Sequence, residues 1–390
     1  MVADVPLVDR ARGMRDLVRG EAAESERLRT LSPTIVEEMW ASDLMSAFNP
    51  KEAGGIEPSF QEMIDTWIEM AWQDGSFGWI GIANLPSTFA AATYLPDDGF
   101  AEVFTANDNR ITIGGQYFPN GQGAAVDGGY RLSGAWSFGS GTGHSAYIGA
   151  GFFPMDNGEI RWVSEGIPDM RVAFVPRDEV TFTDGWHVQG LKGTGSYDYA
   201  ITDVFVPERR TIPLFVREPA RGSSAASRMG LMPVTAAGHA SFALGVAKSM
   251  LDDVEELAAT KVRMSDMATL ATRQTFQKGL AHHVAAWRAA RLLVLDAFAT
   301  AEAAVDAGQD LTPQLRADMR VAAVYATDTA REAAEWAHLA AGTTAIREGS
   351  RLERAFRDIY TGTQHAFISE KVAMDVAQIW LGLIDDQFGL

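Results

Sequence analysis

The spacing of apolar residues divides the chain into three stretches. Up to about residue 105, apolar positions recur every three to four residues, as in residues 33–40 and 60–72, which predicts helices. From Arg110 to Pro207 the apolar residues alternate in short runs separated by Gly, Asn and Asp, which predicts strands joined by tight turns. After about residue 225 the chain is rich in Ala and Leu with a helical period, so long helices are expected there.

These stretches predict an α+β protein with three domains. They comprise an N-terminal helical domain (1–108), a central β domain (109–215) and a C-terminal helical bundle (216–390). Three or four long helices are expected in the bundle, with breaks at Gly308 and Gly342: His239 to Thr260, Met267 to Ala307, Thr312 to Ala341 and Ile368 to Leu383. The segment from Glu218 to Ser227, rich in Arg, Gly and Ser, is predicted to be a linker or mobile loop.

Composition narrows the class of protein. Hydrophobic residues make up 47% and charged residues 22%, which is typical of a folded globular chain. The net charge of −18 would repel a polyanion, so nucleic acid is not expected as a partner. The chain has no cysteine, which excludes disulfides and thiolate metal sites and favours a reducing cytoplasm. No apolar run reaches the roughly 20 residues of a membrane span, and no signal peptide is recognisable.

Two short motifs suggest a phosphate-binding loop and a metal site, but neither has the features that such a site requires. The glycine-rich stretch from Gly139 to Gly143 lacks the lysine and the following helix of a phosphate-binding loop. His282 and His283 are adjacent in a predicted helix, so their side chains point in different directions and cannot share one metal ion. The seven histidines show no ligand spacing, and no metal is predicted.

Several motifs, taken in chain order, resemble those of the acyl-CoA dehydrogenase superfamily. They are Pro50-Lys-Glu-Ala-Gly-Gly55, Asp74-Gly-Ser-Phe-Gly-Trp79, Gly190-Leu-Lys-Gly-Thr-Gly-Ser196 followed by Ile201-Thr-Asp-Val-Phe-Val-Pro207, and Arg351-Leu-Glu-Arg-Ala-Phe-Arg-Asp358. The resemblance implies that superfamily's fold, with an N-terminal helical domain, a central β-barrel or sandwich and a C-terminal four-helix bundle. It also implies a flavin between the β domain and the C-terminal helices.

The position of the catalytic base favours one branch of the superfamily. A dehydrogenase needs a glutamate base shortly after the terminal Arg-Asp, to remove a weakly acidic proton, whereas residues 357–366 contain His365 near that place. The segment Trp136-Ser-Phe-Gly-Ser-Gly141 with His144, and Thr363-Gln-His365, resemble instead the two-component flavin-dependent monooxygenases. That branch includes the oxygenase components acting on p-hydroxyphenylacetate, a hydroxy-secosteroid and dibenzothiophene.

The resemblance to this branch implies a defined set of cofactors and partners. A separate reductase would supply reduced flavin, FMNH2 or FADH2, and O2 would be the co-substrate. A flavin C4a-hydroperoxide would then insert one oxygen atom into a small aromatic or heteroatom-containing molecule. Two alternatives stay open, a dehydrogenase or oxidase of the same fold and a non-catalytic assembly protein that has lost its flavin.

The same resemblance implies residue roles at the flavin. Ser140 falls where the family places a hydroxyl against flavin N5, and the neighbouring Gly139 allows close approach of the ring. Phe138 falls where an aromatic ring stacks beside the flavin, and the segment Tyr117-Phe118-Pro119 where the chain wraps the flavin. Arg273 and Gly342 correspond to positions that reach the phosphates of a dinucleotide in a neighbouring subunit.

The sequence also suggests which residues contact the substrate and how the chains assemble. His365 is the candidate base for a phenolic substrate, because an imidazole titrates near neutrality. Thr88 stands where several oxygenases of this branch have a second histidine, and His144 is interpreted as structural. The alanine-rich faces of residues 285–299 and 317–341 exceed what the β domain can cover, so a homotetramer is predicted.

Overall fold

The computed structural model describes residues 5–183, 185–263, 267–387 and 389. Its elements follow the predicted order of helical, β and helical stretches. The N-terminal helices are α1 (Leu7–Gly13), α2 (Arg15–Leu28), α3 (Pro33–Ala41), α4 (Phe60–Gln73), α5 (Gly75–Tyr94) and α6 (Asp97–Val103). Ser59 begins α4 with a capping box that includes Glu62, and the Asp74 carboxylate begins α5 by accepting two backbone N–H groups.

One twisted sheet forms the middle of the molecule. Its strands are β1 (Ile113–Val126), β2 (Gly129–Gly139), β3 (Tyr147–Asp156), β4 (Glu159–Ile160), β7 (Arg171–Pro176), β8 (Thr181–Thr183), β9 (Tyr197–Pro207) and β10 (Thr211–Pro213), and β5 (Trp162–Ser164) and β6 (Ile167–Pro168) form a separate hairpin. The order in the sheet is β10-β7-β3-β1-β2-β9-β8, with β4 paired to β3. β1 and β3 run parallel, and the other neighbours are antiparallel.

Three of the C-terminal helices, α8, α9 and α10, are longer than any helix of the N-terminal stretch. The C-terminal helices are α7 (Ala225–Met229), α8 (Leu231–Thr260), α9 (Gln274–Asp306), α10 (Pro313–Ala341), α11 (Arg351–Gly362) and α12 (Glu370–Trp380), and the short strands β11 (Val262–Arg263) and β12 (Ala268–Thr269) join α8 to α9. α8 begins eight residues before the predicted start at His239. The predicted breaks at Gly308 and Gly342 are confirmed, since both glycines follow a helix and have positive φ.

The predicted linker is a packed connection. Arg221 donates twice to the Leu95 carbonyl oxygen (2.6 and 2.8 Å). The backbone N–H groups of Ser223 and Ser224 both donate to the Glu57 carboxylate (2.8 and 3.0 Å). These contacts attach the segment to the N-terminal helices, so the expectation of a mobile loop was wrong.

The described residues form two large hydrophobic cores and a small third cluster, in which Val324 of α10 packs with Val372 and Val376 of α12. The N-terminal and C-terminal helices share one core, in which Trp67 and Phe242 are almost fully buried. The sheet has a second core, in which the Trp136 and Tyr199 rings stack 5.3 Å apart. No helix in the described part of the chain is long and apolar enough to cross a membrane.

Candidate active site

Strand β1 contains an irregular stretch between residues 116 and 121, where its pairing with β3 shifts register. Pro119 lies in this stretch and has no N–H to donate, which favours the interruption. Phe118 is 67% exposed. Tyr117 turns inward instead, and its hydroxyl donates to the Ser87 carbonyl oxygen (3.3 Å). Of the three residues predicted to wrap a flavin, Phe118 is the one whose side chain faces solvent.

A second irregular stretch ends strand β2, whose register with β9 shifts between residues 136 and 139. Phe138 lies in this stretch with φ +62° and is 67% exposed, as expected where a bulge redirects a side chain. Gly139 follows, and a Cβ there would lie 2.7 Å from a neighbouring tyrosine ring. The Ser140 carbonyl oxygen then accepts the Gly115 N–H (3.1 Å). Both irregular strands therefore meet at Ser140.

The Ser140 hydroxyl heads a chain of hydroxyl groups. Its Oγ lies 3.0 Å from that of Ser196, which lies 2.7 Å from Oγ1 of Thr194, and Thr194 donates to the Leu191 carbonyl oxygen (2.9 Å). Ser196 donates its hydrogen to Ser140 Oγ. Trp79 Nε1 also donates to Ser140 Oγ (2.9 Å). A hydroxyl oxygen has two acceptor positions, so both are occupied and the hydrogen of Ser140 itself is free to donate.

The hydroxyl chain ends at the Leu191 carbonyl oxygen, in a loop that is bound by side chains of α5 and α11. The Leu191 N–H donates to Asp358 Oδ1 (2.6 Å), and the Gly193 N–H donates to Ser76 Oγ (3.1 Å). Burial, together with the nearby Asp74 carboxylate, raises the pKa of Asp358 to about 8. Burial therefore favours the protonated form of Asp358 in the folded protein.

Trp79 also contacts a group of aromatic rings from the C-terminal helices. Its ring centroid lies 5.4 Å from that of His239 and 6.0 Å from that of His365. His239 lies 4.5 Å from His365 and stacks on Phe367 at 5.6 Å. We call Trp79, His239, His365 and Phe367 the ring cluster. It joins the Ser140 end of the site to the segment that follows α11.

The structure changes the expected chemistry of His365. The Phe367 N–H donates to His365 Nδ1 (3.2 Å), and a neutral imidazole has one acceptor nitrogen, so the hydrogen is on Nε2. Although His365 is an exposed residue, protein atoms packed around its ring, and then the Arg320 guanidinium, lower the pKa of His365 to about 4. The sequence led us to expect a pKa near neutrality. His365 is instead a neutral side chain that offers an Nε2–H donor.

Sequence reasoning missed His239. The residue is 4% exposed, its Nδ1 has no hydrogen-bond partner among the described residues, and burial lowers its pKa well below the usual value. It belongs to α8 and is 126 positions from His365, so only the folded chain brings the two rings together. A histidine within the apolar run of residues 236–247 was the available signal, since buried polar groups are exceptional in such runs.

Thr88 and His144 lie away from the ring cluster's contacts. Thr88 is buried, and its hydroxyl accepts the Ile113 N–H (3.1 Å), so it attaches the start of β1 to α5. His144 Nδ1 lies 3.5 Å from Thr30 Oγ1, and burial, followed by the Arg177 charge, lowers the pKa of His144 to about 4. These contacts give each side chain a packing role within the fold.

Arg273 and Gly342 lie close to each other and far from Ser140. Arg273 precedes α9, in a turn whose Leu270 N–H donates to the Lys261 carbonyl oxygen (2.8 Å). Lys261 Nζ in turn donates to the carbonyl oxygen of Ala341, next to Gly342 (2.6 Å). Lys261 follows the last residue of α8, about 30 Å along that helix from His239 at 1.5 Å per residue.

Comparisons with known proteins agree with this arrangement. The family model described as "Acyl-CoA dehydrogenase, C-terminal domain" matches residues 237–370. An indole-3-acetate monooxygenase of Pseudomonas putida is 29% identical over 95% of this chain and 92% of its own length. A pigment production hydroxylase of Rhodococcus erythropolis is 30% identical, with 92% of both chains covered.

A solved structure supports the fold over the whole chain. The Streptomyces protein XiaF, determined in complex with FADH2 and glycerol, superposes with a TM-score of 0.89. It is 24% identical and covers 98% of this chain and 97% of its own. The predicted three-part acyl-CoA dehydrogenase-like architecture is thereby confirmed.

Proposed function

The chain belongs to the flavin-dependent monooxygenases of the acyl-CoA dehydrogenase superfamily, and we propose that Ser140 and His365 serve the cofactor and the substrate of that reaction. The protein is an oxygenase component that uses reduced flavin and O2, and a separate reductase supplies the flavin. When bound, reduced flavin activates O2 for insertion of one oxygen atom into a small molecule. The residue roles are inferred from the contacts described above.

The uncommitted hydrogen of Ser140 carries the cofactor assignment. Flavin N5 has a lone pair in the reduced as well as the oxidised form, and a hydroxyl hydrogen can bind it. Ser140 can supply that hydrogen because Ser196 and Trp79 both donate to its oxygen and hold it in place. The exposed rings of Phe118 and Phe138 flank this position along the two irregular strands, and they suit a planar apolar ring system. The residues present therefore fit a flavin.

His365 acts on the substrate as a hydrogen-bond donor in this proposal. Nδ1 is occupied by the Phe367 N–H, so a base function would first require that bond to break. An Nε2–H donor can hold a hydroxyl, carbonyl or ring nitrogen of a substrate in place without taking its proton. Aromatic faces of the ring cluster suit a small aromatic substrate beside it.

Two readouts test the function. Purified protein should bind reduced flavin under anaerobic conditions, measured by quenching of tryptophan fluorescence. With a reductase, NADH and O2, it should add one oxygen atom to an aromatic substrate, measured by mass spectrometry. A dehydrogenase or oxidase would instead reduce oxidised flavin with substrate alone in the absence of O2. Failure to bind either form of flavin would contradict the assignment.

We also propose that Arg273 and Gly342 serve a neighbouring subunit of a homotetramer. The length of α8 separates them from the Ser140 end of their own chain. The exposed apolar side chains of α9, α10 and α12 supply surface for association: Leu292, Leu293, Tyr325, Leu339, Met374 and Trp380. Light scattering should give four times the 42.2 kDa chain mass, and an active dilute monomer would contradict this assembly.

A further inference from the structure

Arg320 is a buried cation with no counter-ion contact in the part of the chain that the structure describes. It belongs to α10 and is 5% exposed. Neither Nε nor Nη1 has a hydrogen-bond partner among the described residues. Removing a guanidinium from water without a partner costs free energy, and burial is the main reason that the pKa of Arg320 falls to about 10. A buried guanidinium without a counter-ion is favourable as a binding site for an anion.

The contacts of Arg320 place it at the ring cluster. Its guanidinium carbon lies 3.5 Å from the centroid of the Phe367 ring. The Arg320 charge also acts on His239 and His365, lowering the pKa of both. The guanidinium is therefore next to the rings that we assign to the substrate, at the end of the cluster opposite Trp79 and Ser140.

The carboxylates of the described residues do not pair with Arg320. Asp375 on α12 is near enough to raise the pKa of Arg320, but its carboxylate forms an ion pair with Lys371 at 2.5 Å. The described residues place no carboxylate oxygen within 4.0 Å of Arg320 in an ion pair. The charge is thus available to a molecule that enters from outside.

We propose that Arg320 binds the carboxylate of an aromatic substrate, whose ring lies against the ring cluster. The inference rests on the proposed monooxygenase function and names its substrate class. A carboxylate matches the planar guanidinium by charge-assisted hydrogen bonds, and His239 and His365, both neutral, add no competing positive charge. The carboxylate fixes one end of the substrate, and the flavin reacts near the other.

Matched pairs of aromatic molecules, with and without a carboxylate, test the proposal. Indole-3-acetate is compared with 3-methylindole, and 4-hydroxyphenylacetate with 4-methylphenol. Binding is measured by calorimetry to the protein with reduced flavin under anaerobic conditions. At least one carboxylate should bind about 10- to 100-fold more tightly than its neutral partner, because a hydrogen-bonded ion contact contributes about 1.5–3 kcal/mol.

Substitution at Arg320 then assigns that preference to one side chain. Arg320→Met should remove the difference within a pair, leave binding of the neutral partner within about threefold, and preserve or raise Tm, since an unpaired buried charge is lost. Arg320→Lys keeps the charge and should retain part of the preference. Arg331→Met is the control, because Arg331 is a half-exposed arginine on the same helix, paired with Asp328 at 2.9 Å.

Each result decides between the two inferences. If carboxylate and neutral partners bind alike to the wild type, or if no carboxylate in the panel binds, Arg320 is not a carboxylate anchor. The same conclusion follows if the preference survives in Arg320→Met. Oxygenation of the neutral partner in those cases would leave the monooxygenase function intact. Should Arg320→Met fail to fold, loss of preference in Arg320→Lys relative to wild type is the supporting result, and full retention overturns the proposal.

Discussion

The two ends of the candidate site differ in how their polar groups are satisfied. At the Ser140 end, the hydroxyls of Ser140, Ser196 and Thr194 and the Trp79 indole nitrogen all have partners within the protein. At the other end, His239 Nδ1 and two nitrogens of Arg320 are buried and have no hydrogen-bond partner among the described residues. A cofactor is the same in every turnover, so its contacts can be fixed in advance. A substrate comes and goes, and unsatisfied groups at its end are those that it can complete.

The largest effect is expected from substitution of His365, and it distinguishes a hydrogen-bond donor from a general base. His365→Ala should lower product formed per reduced flavin by about 100- to 1000-fold, as when a positioned donor is removed. His365→Gln keeps an N–H at the place of Nε2 and should recover most of that loss if His365 donates. A base would not be rescued by glutamine. His282→Ala, an exposed histidine of α9, is the control and should behave as wild type.

The same residue gives a test by pH. Since the pKa of His365 is lowered to about 4, His365 is neutral throughout the range from pH 5 to 8. Product formed per flavin should stay constant down to about pH 5 and fall only as pH approaches 4. A decline centred between pH 6 and 7 would indicate a histidine that titrates normally, and would restore the base interpretation.

Ser140→Ala tests the satisfied end of the site. The variant removes the hydroxyl assigned to flavin N5, so reduced flavin should bind about tenfold more weakly. Oxidised flavin should reappear faster after mixing with O2, with more hydrogen peroxide and less product. Loss of the Trp79 Nε1 contact should also lower the free energy of unfolding by about 1 kcal/mol. Ser133→Ala, an exposed serine on the same strand β2, controls for the substitution itself, and unchanged flavin binding would remove Ser140 from the mechanism.

The sequence predicted the architecture better than the site because the architecture depends on local patterns. Alternation located β2, β3, β7 and β9, and the helical period located α8, α9 and α10, each from neighbouring residues. The predictions were wrong where the conformation of a short polar segment depends on residues that are distant in the sequence. Residues 218–227 are such a segment, because their backbone N–H groups donate to Glu57. The start of α9 also differs, since it begins at Gln274 and not at Met267.

The candidate site was predicted in part. Ser140 and His365 were found by resemblance to family motifs, but the direction of the hydroxyl chain and the hydrogen on Nε2 depend on Ser196 and on the Phe367 backbone, which are set by the fold. Arg320 could have been singled out, because it shares the buried face of α10 with Ala323 and Thr327 at helical spacing. A charged residue on a buried helix face indicates a special role, but the sequence does not reveal which rings lie next to it.

A smaller effect is expected one step further along the hydroxyl chain. Ser196→Ala removes a group that donates to Ser140 Oγ, so the Ser140 hydroxyl is no longer held in one orientation. Reduced flavin should bind a few-fold more weakly, within the roughly 1 kcal/mol of one neutral hydrogen bond. If Ser196 acts through Ser140, the Ser140→Ala/Ser196→Ala double variant should bind flavin no more weakly than Ser140→Ala alone. Additive losses would mean that Ser196 contacts the flavin independently.

The smallest effect on turnover is expected at Asp358, which supports the Ser140 end from beneath. Its pKa is raised to about 8 by burial and by Asp74, whereas an aspartate in the unfolded chain titrates near 4. Between those values the folded protein holds a proton that the unfolded chain has released. The free energy of unfolding therefore falls as pH rises through this range, by up to about 1.4 kcal/mol per pH unit from this group.

Asp358→Asn isolates that contribution, since an asparagine keeps an oxygen for the Leu191 N–H and does not titrate. Chemical denaturation at several pH values from 5 to 8 should show a shallower loss of stability in Asp358→Asn than in the wild type, and the variant should be the more stable of the two at pH 8. Glu37→Gln, at an exposed carboxylate of α3, should leave the slope unchanged. Product per flavin should stay within about twofold of wild type. The Leu191 N–H still has an oxygen acceptor at residue 358, so the Leu191 carbonyl oxygen stays in place for Thr194. An unchanged slope would mean that Asp358 is ionised in the folded protein, whereas a large loss of product would show that the Ser140 end depends on this proton and is not satisfied by hydrogen bonds alone.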